Sequence, residues 1–410
     1  MSLSMRWTGR DELTRVAQTR WMCYGHAARE LPTFLERIDA DPWATNGDFL
    51  LAERNGEAVG TATSLSLRMW VRGAPLLCQG VAWVGAIKTA RRRGGGNVSG
   101  VASAVMRETL RIARERGCIV SALMPFRVSY YEHFGYGVVE RRSEWTIPLS
   151  ILPTDACDGW RFIQPEDRPA LATAWQQAVA DGQCDIERDA QRWIFRQAME
   201  NEGMVVIERP QPTGPVLAYA LLVHQPGPPK NLLRIVEWSA ASPQSFKSLL
   251  CFLGTLRDQY SGVVLTAPAD WQINRMLREP QIAHRPVEHH TPDVRTHTRM
   301  QLRILDHRRY LESLHLPKRA SGTVSIAIHE TEGEASRLRL ELEGGHIQVS
   351  PGSGAADFEC SDRHWAAIAT GDLPASQAVQ IGVATQHTAG AADMLDTLAA
   401  GPLPFCREYF

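Results

Sequence analysis

Arg91-x-x-Gly94-x-Gly96 is the stretch of this 410-residue chain whose residue types and spacing point most directly to chemistry. It lies between an apolar run at residues 80–87 and an amphipathic segment at residues 98–116, so it reads as the turn from a strand into a helix. Such a turn gathers backbone N–H groups around one point. Glycine has no side chain to block an approaching anion. A helix N-terminus adds unsatisfied donors and the positive end of a dipole. A diphosphate is the natural guest. Arg91, Arg92 and Arg93 can neutralise its charge, and Gly94, Gly95 and Gly96 leave it room. Asn97 and Ser99 can cap the helix or bind the guest directly. The competing reading is a flexible Arg/Gly surface loop.

Other phosphate cradles fit less well. A Walker loop needs Gly-x-x-x-x-Gly-Lys-Ser/Thr, which the sequence lacks. A dinucleotide fingerprint needs Gly-x-Gly-x-x-Gly with an acidic residue about 20 positions on. The triple glycine gives near matches, but the arginines ahead of it argue against that use. Downstream, the run Ser129-Tyr130-Tyr131-Glu132-His133-Phe134-Gly135-Tyr136-Gly137 supplies three phenols, each of which core packing would also explain. His26, His133 and the Glu288-His289-His290 run have no ligand spacing with a partner, so they read as surface and no metal site is expected.

The elements that must position these residues follow from periodicity. Leu13, Val16 and Trp21, then Leu31, Phe34, Leu35 and Ile38, fall at helical spacing. Asn55-Gly56 between short apolar runs predicts a hairpin. A further strand is expected at residues 64–71 with a turn at Arg72-Gly73, then the apolar run, the turn, the helix, a strand at residues 117–125, a helical turn, and a strand at residues 142–149. Residues 158–300 repeat this rhythm: a short strand at 160–163, helices at 169–180 and 190–201, a strand pair at 204–208 and 216–223, a strand at 232–238, a helix at 243–259 and a strand at 263–266. The corresponding junction, residues 237–243, has no Arg-x-x-Gly-x-Gly, so this half reads as a second copy without its cradle. A strand at 300–306 leads into a helix at 308–314. Alternating strands at 324–328, 338–342 and 347–349 follow, then helices at 362–370 and 389–398 with a strand at 377–379 between them. The fold class is mixed α/β to α+β.

Composition bounds the rest. Hydrophobic residues make up 44% and charged residues 22%, which places the chain with packed globular proteins. A net charge of −1 gives no electrostatic case for nucleic acid or an anionic membrane. No apolar run approaches the roughly 20 residues a bilayer span needs, and the N-terminus lacks a signal-peptide core. The eight cysteines form no Cys-x-x-Cys pair, so a reducing, cytoplasmic location is expected.

Arg91-x-x-Gly94-x-Gly96 after an apolar strand resembles the acetyl-CoA loop of GNAT N-acetyltransferases. The helix ending in Glu115-Arg116-Gly117, the Met124-Pro125-Phe126 run and Tyr131-Glu132-His133-Phe134-Gly135-Tyr136 are similar to the Eis-like (enhanced intracellular survival) branch. The likeness extends over the whole chain. It implies a GNAT catalytic domain at residues 1–152, a degenerate GNAT-like domain at 153–300, and a sterol-carrier-protein-like domain at 301–410 that donates the C-terminus. It implies direct acetyl transfer from acetyl-CoA to a primary amine of aminoglycoside, polyamine or lysine type. Val84, Gly85 and Ala86 would hold the pantetheine and polarise the thioester, Trp83 would line the amine pocket, Tyr131 would protonate the leaving thiolate, and the carboxylate of Phe410 would act as base. A homo-hexamer is also implied. The turn is richer in glycine than the family's, Ala86 stands where valine is usual, and the helix is expected to begin near Ser99 or Gly100. The alternatives are a catalytically degenerate CoA- or ligand-binding protein and a lipid-carrier or scaffold protein.

Overall fold

The structure, a computed structural model, describes residues 3–40, 48–91, 100–190, 192–193, 203–227, 231–279, 291–318 and 320–410. The chain divides into two compact units. The first comprises Met1–Glu140, Arg299–Gly401 and Glu408–Phe410; the second comprises Arg141–Thr298 and Pro402–Arg407.

The first unit holds two sheets. In the larger, the strand order is Ser4–Thr8, Phe49–Arg54, Glu57–Val71, Ala74–Ala86, Val120–Leu123, Gln301–Ile304, Gly137–Val138. Every join is antiparallel except that of Ala74–Ala86 with Val120–Leu123. Asn55 and Gly56 both take positive φ (54° and 81°), the geometry a two-residue hairpin loop requires. The strands expected separately on either side of residue 63 are one continuous strand, Glu57–Val71. The helix Val101–Glu115 lays Val101, Val105, Met106 and Leu110 on this sheet, with Leu50, Ala62, Val81 and Phe134 across from them.

The smaller sheet runs His346–Pro351, Ser336–Glu343, Gly322–His329, Phe358–Ser361, Ala384–Gln386, with a parallel join of the third and fourth strands. The helix expected at residues 362–370 is present with those bounds, and Ser361 caps it by accepting from the His364 N–H. Residues 377–379, expected as a strand, lie in the helix Ala375–Gln380, because Asp396 accepts from the amides of Ala375 and Ser376 and fixes a helix start there. The helix Asp362–Thr370 sits tightly on the Phe134-Gly135-Tyr136-Gly137 run. A Cβ on Gly137 would fall 1.9 Å from the Arg363 carbonyl oxygen, so the contact needs glycine.

The second unit repeats the scheme of the larger sheet: Asp293–His297, Arg142–Pro148, Tyr260–Pro268, Asn231–Ala240, Ala218–Gln225, Met204–Glu208, Trp160–Phe162, again with one parallel join at the centre. The helices Arg168–Ala180 and Pro243–Gly254 belong to it. Most of the helix expected at 190–201 lies outside the described residues. Among the described residues, no helix is long and apolar enough to cross a membrane, and no three His, Cys, Asp or Glu residues are grouped to hold a metal.

The polar centre of the second unit is a buried pair. Arg188 donates to both oxygens of Glu237 (3.1 and 2.6 Å), Tyr219 donates to the same carboxylate (2.9 Å), and the guanidinium lies 3.5 Å from the Trp175 ring centroid. Removing one member of such a pair leaves a buried charge uncompensated. Glu237→Ala is therefore expected to destabilise the second unit by roughly 3–5 kcal/mol, read as an earlier unfolding transition in urea.

Candidate active site

The site begins with one extra residue. Thr63 pairs with Ala82 but Thr61 pairs with Gly85, so Trp83 and Val84 together oppose Ala62 in a β-bulge. Trp83 takes φ +56° there, which is uncommon for a bulky side chain. On the other side, the parallel join with residues 120–123 ends at the pair Val81–Leu123. Beyond it the two strands part, and residues 82–86 present an open backbone edge.

The direction of that edge follows from alternation. The Ile87 N–H donates to Val59 O. The Gly85 N–H therefore faces the same neighbour, and the amides of Val84 and Ala86 face the open side. The carbonyls on this side are engaged: Tyr24 donates its hydroxyl to Val84 O, and Arg91 Nε donates to Ala86 O at 3.2 Å. The edge thus offers donors.

The bulge also resets which side chains share a face. Val81, Val84 and Ala86 belong to one cluster with Tyr131, Phe134 and Tyr136. Gly80 and Gly85 face the opposite side. There, the helix Leu13–Tyr24 comes so close that a Cβ on Gly85 would lie 2.9 Å from Tyr24 Oη and 3.0 Å from Cys23 Cβ. Trp83 is half-buried between Tyr24 and Phe34, ring centroids 5.7 and 6.0 Å away, with the Arg20 guanidinium 4.8 Å from its ring centre. Tyr24 and Arg20 were not singled out in the sequence, and Phe34 only as one of a set at helical spacing. The signal was there in part: Val16, Arg20, Cys23 and Tyr24 lie on one helical stripe.

The three phenols separate by environment. Tyr136 is fully buried and shares a 2.6 Å hydrogen bond with Ser121, which donates to Gln79; it is part of the core. Burial pushes the Tyr130 phenol up to about 12. Tyr131 is also raised, by burial first and by the neighbouring phenols Tyr24, Tyr130 and Tyr136 next, so it keeps its proton well above the usual tyrosine range. Its hydroxyl makes no hydrogen bond to any described residue. Phe126, largely exposed, packs edge-on to its ring at 5.8 Å. Burial pushes the Cys23 thiol up to about 11, so it is protonated at neutral pH and a poor nucleophile.

Phe410 belongs to the first unit, where its ring lies against Gly80, Cδ2 being 3.0 Å from where a Cβ on that glycine would sit. The structure thus brings Phe410 to the strand that carries Val84, Gly85 and Ala86. Arg91 spends its donors on the Ala86 and Cys23 carbonyls, the latter at 3.0 Å. Arg92, Arg93, Gly94, Gly95, Gly96 and Asn97 lie outside the described residues. The helix that follows starts at Val101, after Gly100.

The second unit has the same parting of strands with a different filling. Asn231–Ala240 and Tyr260–Pro268 pair in parallel only to Arg234–Val264, and an extra residue again interrupts the neighbouring register. Here the buried Trp238 indole donates to Thr266 O at 2.9 Å and bridges the gap.

Comparison with known proteins agrees with this geometry. Residues 5–139 match the acetyltransferase (GNAT) domain, and residues 184–304 match a second domain of the same description. An uncharacterized N-acetyltransferase of Streptomyces avermitilis is 25% identical over 389 residues, 87% of each chain. One from Streptomyces griseus is 25% identical over 434 residues, 97% of each chain. Among solved structures, a GCN5-related N-acetyltransferase from Anabaena variabilis shares the fold over 100% of both chains (TM-score 0.82, 17% identity). So does Eis1 from Mycobacterium abscessus, also over 100% of both chains (TM-score 0.79, 18% identity). The chain carries two GNAT acetyltransferase domains in tandem. It is an N-acetyltransferase.

The close approach at Gly85 is testable. Gly85→Ala would force the helix Leu13–Tyr24 off the strand and is expected to cost about 1–3 kcal/mol, the usual toll of overpacking. A lowered melting temperature together with weaker acetyl-CoA binding is the expected result; an unchanged melt would show the contact to be loose.

Proposed function

We propose that the first GNAT domain transfers an acetyl group directly from acetyl-CoA to a primary amine, with no acyl-enzyme. The observation that carries this reading is the bulge at Trp83–Val84, which opens a donor edge between two cores, one holding Tyr131 and the other meeting Phe410. When bound, acetyl-CoA supplies a thioester. The amides of Val84 and Ala86 donate toward that thioester and its pantetheine arm, and Gly85 lets the first helix close behind them. The Phe410 carboxylate takes the proton from the amine as its nitrogen bonds to the acetyl carbonyl carbon. The C–S bond then breaks, and Tyr131 gives its proton to the departing sulfur. The raised affinity of Tyr131 for its proton fits an acid that acts only once thiolate charge develops. The protonated Cys23 gives no support to a covalent intermediate.

Trp83, flanked by Phe34 and Tyr24, lines the amine side in this reading. Arg91, Arg92, Arg93, Gly94, Gly95, Gly96 and Asn97 form the diphosphate cradle. The proposed division is a catalytic domain at residues 1–152, a second GNAT-like domain at 153–300 that no longer binds acetyl-CoA, and a sterol-carrier-like domain at 301–410, although Arg142–Pro148 pairs in the second unit's sheet and Gln301–Ile304 in the first unit's larger sheet. The missing Arg-x-x-Gly-x-Gly and the Trp238 bridge support the loss in the second. The five-stranded sheet with the helices Asp362–Thr370, Ala375–Gln380 and Ala391–Ala399 supports the third. The Eis-like resemblance adds a cytoplasmic hexamer, which light scattering would test.

Thermal shift with acetyl-CoA, and CoA release with a panel of aminoglycosides, polyamines and lysine peptides, test this reading. Stabilisation by acetyl-CoA with no turnover on any of these amines would overturn direct transfer to a primary amine of those types.

Tyr131→Phe is expected to lower kcat by about 10²-fold or more, the usual worth of a general acid, with acetyl-CoA affinity kept. Adding residues after Phe410 should do the same by displacing the carboxylate. Activity that survives both changes would overturn the acid and base assignments. Because Tyr131 holds its proton above the ordinary tyrosine value of ~10, the pH–rate profile should show no loss of the acid form up to roughly that pH.

A further inference from the structure

The second unit contains a cavity of about 610 Å³, within the range of small-molecule sites. It is bounded by the helix Arg168–Ala180, the ends of the strands Ala218–Gln225 and Asn231–Ala240, and the segment Pro402–Arg407. None of the residues given a role in acetyl transfer lines it. Trp238, Trp271 and Phe405 give it an aromatic wall. Two guanidinium groups reach it. The side chain of Arg209 is only 9% exposed; its Nε donates to Gly214 O at 2.8 Å and its Nη1 to Asp167 at 2.7 Å. Its Nη2 has no hydrogen bond to any described residue. Arg407 is held through Nη1 to Asp185 at 2.5 Å and its guanidinium lies 5.7 and 5.8 Å from the Trp175 and Phe405 ring centroids, with no hydrogen bond from Nε or Nη2 to any described residue. The acid in the lining, Asp181, is exposed and already accepts from Gln177 at 2.9 Å.

A buried guanidinium with an unused N–H beside an aromatic wall lacks one thing, an acceptor with a flat apolar body. We propose that this cavity binds a small aromatic carboxylate, its ring against Trp238, Trp271 and Phe405 and its carboxylate taking charge-assisted hydrogen bonds from Arg209 and Arg407. The site is separate from the acetyl-CoA edge. It uses the space left once Trp238 has closed the strand gap of the second domain. Its wall includes the segment that runs into Glu408–Phe410, so occupancy would also brace the stretch of chain leading to the C-terminal carboxylate.

The experiment is calorimetric titration of the full-length protein with 2-naphthoate, with 2-naphthamide as the uncharged match. Binding of 2-naphthoate is expected, and the amide should bind more weakly by about tenfold, the worth of one charge-assisted hydrogen bond. Arg209→Gln should lose a similar factor for the acid and nothing for the amide. Ala174→Phe, which fills the cavity from the helix side, should abolish binding of both while leaving the acetyl-CoA thermal shift unchanged. No 2-naphthoate binding to the wild type, equal affinity for acid and amide, or undiminished binding to Ala174→Phe would overturn the proposal. If Arg209→Gln fails to fold, the amide and Ala174→Phe still decide it. The acetyl-CoA shift, read on the same samples, reports on the proposed enzymatic reading independently.

Discussion

Hydrogen bonding between residues 74–86 and 120–123 stops at Val81 and Leu123, and the geometry of the candidate site depends on that interruption. A sheet that continued to pair would bury the amides of Val84 and Ala86 in its own ladder. The bulge prevents this by adding one residue, and the cost falls on Trp83, held at a positive φ. What holds the distortion is packing on both sides: the Arg20 guanidinium, Tyr24 and Phe34 around the Trp83 ring, and the helix Val101–Glu115 behind Val84 and Ala86.

The two GNAT domains show what the same interruption becomes when its filling changes. In the first, the carbonyls of the open edge are engaged by Tyr24 and Arg91 and the amides are left to face outward. In the second, a single indole crosses between the strands and satisfies a carbonyl on the far side. One buried side chain thus turns a ligand edge into a piece of core. The cavity in the same domain lies against the helix Arg168–Ala180 as well as at the end of the strand Asn231–Ala240.

Much of this was legible in the sequence, for physical reasons. The hairpin at Asn55-Gly56, the helix at 362–370 and the strand-to-helix passage around Arg91 carry local signals: turn residues with positive φ, a serine cap, a sharp change of period. The bulge carries none, because an inserted residue in an apolar strand leaves the composition unchanged. Tyr24 and Arg20 were hidden for a related reason: a helix face shows which residues point inward, not which carbonyl or ring they meet. Residues 377–379 misled because a three-residue apolar alternation is common to strands and short helices, and the choice was made by Asp396, some twenty positions away. The strand Gln301–Ile304 was recognised as a strand. Its place in the first sheet was invisible, since register between distant segments leaves no mark in either one.

That last strand has a consequence for how the chain comes to be folded at all. Gln301–Ile304 lies between Val120–Leu123 and Gly137–Val138 and is their only link in the sheet among the described residues. On the ribosome, the first sheet therefore emerges with a gap before its last strand, one edge of Val120–Leu123 bare, until residues 141–298 of the second unit have been made. At roughly 5–20 residues per second this is a wait on the order of ten seconds, long for an unpaired edge strand, the usual template for aggregation. The strands of the second unit's sheet, which end at His297, are thus all made before the strand that completes the first sheet, while the second unit itself still waits for Pro402–Arg407.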